Sequence, residues 1–437
     1  MSLTPWQRVQ RLFYTLVMYL LVPVILWRLA WRGLAQREYL RRWPERFGFF
    51  PARIGERRAL WVHAVSVGEV AAAAPLIARL RERHPHWPLL ITTITPTGSA
   101  QVRKRWGDDA FHVYLPYDLG AAVRRFLLRT RPALAIVMET EIWPNLFLEC
   151  SIAGIPIVVA NARLSERSLR GYGPVRGLAR MAIRCARTVA AQSTTDAERL
   201  IALGARPERV VVAGNMKYDL ALPQGLPFKS ASWRSGWGVS RPVWLAASTH
   251  ELEEPDVLAA HQRVLEQFPD ALLLWAPRHP ERFRAVEHAA REVGLRVATR
   301  RVDGLPGRDC QCFVINTLGE LLNFYATADL AFVGGSLQPI GGHNVLEAAA
   351  LGVPCLVGPH TFNFAEVTEH LLASGAALRV AGGAVLGEAV VQLLTDADQR
   401  ITMAEAARAL VERERGAVER TLLLVEAVLP ESSVVGA

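Results

Sequence analysis

The sequence predicts an α/β protein of two doubly wound, Rossmann-like domains preceded by an apolar, membrane-anchoring helix. Three observations predict it. From residue 59 onward, short continuous apolar runs alternate with amphipathic stretches. The alternation stops at a Pro- and Gly-containing polar stretch, residues 223–240, and then restarts. Residues 12–31 carry a single charge, Arg28.

The first set of apolar runs covers residues 59–65, 89–94, 112–115, 134–138, 157–160, 189–192 and 210–213. The second covers 243–247, 272–276, 295–298, 313–315, 330–333, 355–357 and 378–380. Continuous rather than alternating apolar runs, joined by helical patterns such as 70–82 and 120–128, read as parallel strands buried on both faces. A long helical pattern closes the chain at 396–428. The predicted organisation is an anchor at 1–35, a first domain at 36–222, a linker at 223–240 and a second domain at 241–437. In such sheets ligands bind beyond the carboxyl ends of the strands. With two domains, the cleft they face is the expected site.

The chain has 437 residues, with 50 basic against 41 acidic ones. The excess is local: residues 1–60 hold eleven Arg and no Lys against Glu38, Glu45 and Glu56. A nucleic-acid-binding domain spreads its charge over a folded face. Here the charge flanks an apolar stretch, which points to membrane phospholipid as partner and not to nucleic acid. Trp6, Trp27 and Trp31 stand near the ends of the stretch, where indoles favour the interface. No small-residue cleavage site comes after it. A spanning anchor fits, and so does an interfacial helix, since Pro23 can kink it and Arg8 and Arg11 precede it. Arg28, Arg32, Arg37, Arg41, Arg42 and Arg46 favour a cytoplasmic position for the rest of the chain. Five Cys in no pattern argue for a reducing compartment. Cys310-Gln-Cys312 is too short and too isolated for a zinc pair, and no metal ligand set is expected.

Candidate chemistry sits at the strand ends. After the first strand, Ser66-Val-Gly-Glu69 places a carboxylate in the first turn of a helix. It can be a general base for an attacking hydroxyl or a capping-box residue. The helix N-terminus is expected to keep it ionised near neutral pH. Thr95-Pro-Thr-Gly98 suits sugar contacts or an ordinary cap. Glu139 and Glu141 end the fourth strand, and Lys217 near the linker could reach a phosphate or be a solvated surface residue. In the second half, Ala247-Ser-Thr-His250 ends one strand, and Pro277 and Arg278 end the next. The Arg278 guanidinium suits phosphate recognition. The strongest local pattern runs over residues 334–347: Gly334-Gly335-Ser336, then Gly341-Gly342-His343-Asn344 opening a helix, with Glu347 one turn on. Backbone N–H groups at such a turn bind phosphate, and Glu347 can accept from a ribose diol. Asp396-Ala-Asp398 reads as a helix cap rather than a metal motif. The two-domain pattern is that of the GT-B fold, which glycosyltransferases share with some epimerases and phosphorylases.

Taken together, His63-Ala-Val-Ser-Val-Gly-Glu69, Tyr114-Leu-Pro-Tyr-Asp118, Met138-Glu-Thr-Glu-Ile-Trp-Pro-Asn145, Asn161-Ala-Arg-Leu-Ser165, Pro277-Arg-His-Pro-Glu-Arg-Phe283, the glycine turn and Gly358-Pro-His-Thr-Phe-Asn363 closely resemble the lipid A Kdo (3-deoxy-D-manno-octulosonic acid) transferases. The resemblance covers almost the whole chain. It implies CMP-Kdo as donor, a tetraacylated lipid A precursor as acceptor, no cofactor, and the cytoplasmic face of the inner membrane. It implies Glu69 as general base and Glu139 and Lys217 as transition-state stabilisers. CMP contacts would fall on Pro277, Arg278, Leu318, Gly319, Glu320, Asn344, Val345, Leu346 and Glu347. The alternatives are a GT-B transferase with another nucleotide sugar, a sugar-nucleotide epimerase, and a non-catalytic nucleotide-binding membrane module.

Overall fold

The computed structural model describes residues 4–51, 58–220 and 222–430. The first three residues of the expected anchor and the last seven of the expected second domain lie outside these. The chain forms two compact units, Met1–Asp219 with Arg415–Ala437, and Leu220–Glu414.

Every apolar run of the sequence is a strand. In the first unit these are β1 (Ala59–His63), β2 (Leu89–Thr93), β3 (Phe111–Tyr114), β4 (Pro132–Met138), β5 (Ile157–Ala162), β6 (Thr188–Ala191) and β7 (Val210–Val212), in the sheet order β3-β2-β1-β4-β5-β6-β7. In the second they are β8 (Val243–Thr249), β9 (Leu272–Pro277), β10 (Val297–Thr299), β11 (Cys312–Val314), β12 (Leu330–Val333), β13 (Cys355–Val357) and β14 (Ala377–Arg379), in the order β10-β11-β9-β8-β12-β13-β14. The pairings are parallel. β1, β2, β4 and β5 are buried along their whole length, which is why their runs do not alternate. In each sheet the winding direction reverses beside the first strand, between β1 and β4 and between β8 and β12. At a reversal the two loops leaving those strands diverge and open a crevice at the carboxyl edge.

Six helices of the first unit bear on its site and its surfaces: α1 (Pro5–Leu20), α2 (Val22–Ala35), α3 (Val67–Arg83), α4 (Pro96–Trp106), α5 (Gly120–Thr130) and α6 (Pro144–Ile152). Several start on a side-chain cap directly after a strand. Ser66 caps α3, and Thr95 Oγ1 accepts the Gly98 N–H at 3.1 Å to cap α4. Thr95 therefore does the ordinary capping work rather than standing free for a sugar.

Three boundaries differ from the sequence reading. The expected linker contains a helix, Leu226–Trp237, that belongs to the second unit. Trp237 is buried, Trp233 packs on Phe324 with ring centroids 5.1 Å apart, and Arg234 pairs with Asp329 at 2.9 Å. Polar composition hid an element whose apolar contacts come mainly from Leu226, Trp233 and Trp237. The terminal helical pattern is two helices, Ala397–Glu414 and Ala417–Glu426, broken at Gly416, whose φ is +91°. The second of them does not belong to the expected 241–437 domain. Its Ala417, Val418, Leu422 and Val425 join the first unit's core beside Leu76, Ile77 and Leu80 of α3, and Asp219 accepts its Gly416 and Val418 N–H groups at 2.6 Å each. Asp396 caps as expected, accepting the Gln399 N–H at 2.8 Å.

The apolar N-terminus is no single rod. α1 and α2 meet at a 43° bend before Pro23, and among the described residues no single helix is long and apolar enough to cross a membrane. α1 is moored along its middle: Arg11 pairs with Glu149 at 2.5 Å, and Tyr14 donates to Asp118 at 2.9 Å.

Candidate functional site

The first unit gathers its carboxylates at the β1/β4 reversal. β1 runs through His63 into the turn that opens α3, and Glu69 sits in the first turn of that helix. Its carboxylate accepts the Val65 N–H at 2.9 Å and the Ser66 hydroxyl at 3.0 Å, while Ser66 Oγ accepts the Glu69 N–H at 3.4 Å. The candidate base thus also ties down the helix start, so the capping and base readings coexist, although its backbone bond comes from Val65 and not from the Ser66 N–H of a capping box. The ionisation expectation is overturned. Burial, with smaller repulsions from Glu139 and Glu141, outweighs these hydrogen bonds and raises the Glu69 carboxyl from 4.5 to about 7. Desolvation acts on the whole charge, whereas a helix terminus offers only a partial charge of opposite sign.

Glu139 follows β4 and takes a left-handed backbone, φ +54°, pinned by its N–H to Ala160 O at 2.9 Å. A non-glycine residue holds that conformation at a cost of about 1–3 kcal/mol, which marks sites where a side chain is aimed. Its carboxylate lies 3.7 Å from Lys217 Nζ and 3.3 Å from Arg163 Nε. Lys217 is thus neither a solvated surface residue nor isolated from the acids. Glu141 accepts the Trp143 indole N–H at 2.8 Å, and burial raises its carboxyl. The turn bearing Lys217 hangs on Asn161, another left-handed residue, whose Oδ1 accepts the Met216 N–H at 3.0 Å. His63 is fully buried, held to Thr92 Oγ1 at 2.9 Å and kept neutral by burial, with its pKa lowered to about 4.

The second unit has its own group of candidate residues at the β8/β12 reversal, and here the glycine turn divides. Glu253, three residues after His250 and fully buried, accepts the N–H groups of Gly335 at 2.7 Å, Ser336 at 3.0 Å and Leu337 at 2.9 Å. It also accepts the His250 N–H at 3.0 Å. The first glycine pair is therefore an anion nest already filled by the protein's own carboxylate, not a phosphate cradle. Gly334 is needed for a second reason: a Cβ there would lie 2.7 Å from Ser248 O. The sequence reading missed Glu253, although the His-x-x-Glu spacing after a strand is a capping-box signal.

The second glycine pair leads to the other part of the turn. Gly341 and Gly342 take φ of +112° and +74°. Asn344 Oδ1 then accepts the Leu346 N–H at 3.1 Å while its amide donates to Glu347 at 3.1 Å, opening the helix Leu346–Leu351. Val345 and Leu346 are buried, so only their backbone can face a ligand. Burial raises the Glu347 carboxyl. Across the turn, His343 Nε2 lies 2.8 Å from His250 Nε2 with the rings stacked at 4°, and His279 meets His250 edge-on at 5.2 Å. Burial keeps His343 neutral, its pKa lowered to about 4. Arg278 is anchored by its N–H to Thr249 O at 3.0 Å, directly after buried Pro277, and its side chain is exposed. Beyond β11, Leu318 is exposed and Gly319 has φ +88°. Glu320 pairs with Arg300 at 2.6 Å, and that hydrogen bond holds its carboxyl down at about 2. Glu320 is therefore a permanent anion already engaged, and contacts there would come from backbone. Among the described residues no cluster of three or more ligating side chains could hold a metal ion.

The first unit thus brings Glu69, Glu139 and Lys217 together, and the second unit brings Arg278 and residues 344–347 to one sheet edge. Residues 41–220 match the family described as 3-deoxy-D-manno-octulosonic-acid transferase (kdotransferase). A Haemophilus influenzae protein named 3-deoxy-D-manno-octulosonic acid transferase is 39% identical, covering 96% of this chain and 99% of its own length. A Bordetella pertussis protein of the same name is 39% identical, covering 94% of this chain and 98% of its own. Among solved structures, UDP-GlcNAc 2-epimerase from Neisseria meningitidis bound to UDP-GlcNAc superposes with a TM-score of 0.56 at 16% identity, over 85% of this chain and 99% of that one. That likeness concerns the fold alone.

Proposed function

Because the chain belongs to the 3-deoxy-D-manno-octulosonic acid transferase family, and so is a glycosyltransferase, we propose that it moves Kdo from CMP-Kdo to a tetraacylated lipid A precursor (lipid IVA) in lipopolysaccharide core biosynthesis. The observation that carries the mechanism is the Glu69 carboxyl, raised to about 7 and held by its own capping bonds at the end of β1. A base with that affinity takes a hydroxyl proton near neutral pH and releases it again between turnovers.

The step is a single inverting displacement. The acceptor oxygen forms its bond to the anomeric carbon as its proton passes to Glu69, and the bond to the CMP phosphate breaks with its electrons leaving on CMP. Glu139 and Lys217, paired at 3.7 Å, are assigned to stabilising charge in the transition state. CMP is assigned to Pro277 and Arg278, to the backbone of Leu318, Gly319 and Glu320, and to Asn344, Val345, Leu346 and Glu347. One phosphate is adequately met by the exposed Arg278 guanidinium and backbone N–H groups. No cofactor enters the scheme.

The protein is assigned to the cytoplasmic face of the inner membrane, resting on phospholipid through α1 and α2. Trp6, Leu12, Phe13, Leu20, Trp27 and Trp31 are each at least 65% exposed. The mid-helix bonds from Arg11 and Tyr14 to the first unit favour a helix lying in the interface over one crossing it.

The test supplies purified protein with CMP-Kdo and lipid IVA and follows CMP release alongside lipid mass. Kdo-lipid formed in step with CMP supports the proposal, and its mass counts the Kdo units added. Transfer only from a different nucleotide sugar would overturn the donor, and nucleotide binding without any transfer would leave a non-catalytic module.

A further inference from the structure

The candidate catalytic groups occupy the carboxyl edge of the first sheet. At the opposite edge, where β5, β6 and β7 begin, the first unit has an open cavity of about 460 Å³. Five arginines line it: Arg58, Arg184, Arg187, Arg206 and Arg209. No Asp or Glu does. Three of the guanidinium groups are positioned by backbone carbonyls, Arg58 on Pro132 at 3.0 Å, Arg184 on Gly204 at 3.3 Å and Arg209 on Ala186 at 2.9 Å. A carbonyl orients a guanidinium without cancelling its charge. None of the five forms an ion pair among the described residues, and the nearby acid, Glu208, acts on Arg209 through space without lining the cavity. Burial and the like charges of Arg206 and Arg187 lower the Arg209 pKa. Five gathered cations with no lining carboxylate among the described residues leave room for an anion.

The register of α1 indicates where that anion comes from. Thr15 meets Asn145 at the start of α6, and Arg11 meets Glu149 near its end. The two helices therefore run antiparallel, and the first turn of α1 continues toward the end of α6, where Ser151 and Gly154 line the cavity. Trp6 at that turn and Ile152 at the end of α6 are 68% and 69% exposed. Exposed apolar side chains thus stand on the two helix ends that head toward the arginines, the order in which a lipid presents chain and headgroup.

We propose that this cavity is a phosphate-binding site, separate from the transfer chemistry, that takes the phosphate of an anionic lipid headgroup. The experiment compares binding of the full-length protein to phosphatidylcholine vesicles with and without phosphatidylglycerol, by co-sedimentation at low salt. A second arm titrates inorganic pyrophosphate, to distinguish a headgroup from a soluble phosphate. The test variant is Arg187→Glu with Arg206→Glu. The control, Arg103→Glu with Lys104→Glu, changes charge equally on exposed α4, near the other end of the sheet.

Phosphatidylglycerol should strengthen binding of the unaltered protein about tenfold or more. The test variant should lose most of that gain and keep its binding to phosphatidylcholine, while the control keeps both. Loss of pyrophosphate binding in the test variant, with lipid binding equal to the control's, would retain the phosphate site and reassign its source to a soluble compound. A test variant that matches the control in both arms overturns the proposal. If circular dichroism shows the Glu variant unfolded, Arg187→Gln with Arg206→Gln takes its place under the same criteria.

Discussion

Glu69 caps a helix and, in the proposed mechanism, receives a proton, and its surroundings pull its protonation in opposite directions. The hydrogen bonds from Val65 and Ser66 favour the carboxylate, and burial favours the acid. Burial wins, so the folded protein holds this proton more tightly than the unfolded chain. Its contribution to stability is complete below about pH 4.5 and is lost as pH rises through about 7. Catalysis takes the opposite sign, because the base must be ionised. kcat/KM should rise with pH and level off above about 7, as steady-state rates across pH 5–9 will check. Glu69→Gln should lower transfer by about 10²–10⁴-fold. It should also flatten the pH dependence of thermal stability over the same range. Unchanged transfer would reduce Glu69 to a cap. A second residue-scale prediction concerns Glu253. Glu253→Ala leaves the N–H groups of Gly335, Ser336 and Leu337 without their acceptor. Destabilisation by about 1–3 kcal/mol or more in chemical denaturation is expected, with weakened CMP binding.

At the scale of elements, the glycine turn has a locked part and an open part. Hydrogen exchange with and without CMP should read the difference. Protection should appear at residues 344–347 and 318–320, while residues 335–337 should be slow to exchange already without nucleotide, because Glu253 holds them. The helix Ala417–Glu426 gives another test. Leu422 is fully buried in the first unit's core, so Leu422→Ala should cost about 2–5 kcal/mol. If the second unit held this helix, the loss would follow CMP binding. Here CMP affinity should be unchanged, as calorimetric titration would show.

For the whole molecule, Glu69 and the residues proposed to hold the nucleotide belong to different units. Glu69→Gln should therefore leave the CMP Kd within about twofold, the error expected for independent sites. The strands, their parallel direction and the capped helix starts were legible in the sequence, because a strand buried on both faces must be a continuous apolar run and a helix start must offer an acceptor to its free N–H groups. Glu69, Glu139 and Lys217 were legible as polar groups at strand ends, and Arg278 likewise. The sequence did not reveal that Glu253 fills the first glycine pair, that Lys217 is paired with Glu139, that the last described helix returns to the first unit, or that Glu69 gains rather than loses proton affinity. Each of these depends on what lies beside a group in space from a distant part of the chain. Periodicity and spacing record a residue's own surroundings along the backbone, so the sequence alone determined the elements and the chemistry available. Desolvation, charge pairing and the choice of core act across sequence separations of tens to hundreds of residues, and only the tertiary structure decided those.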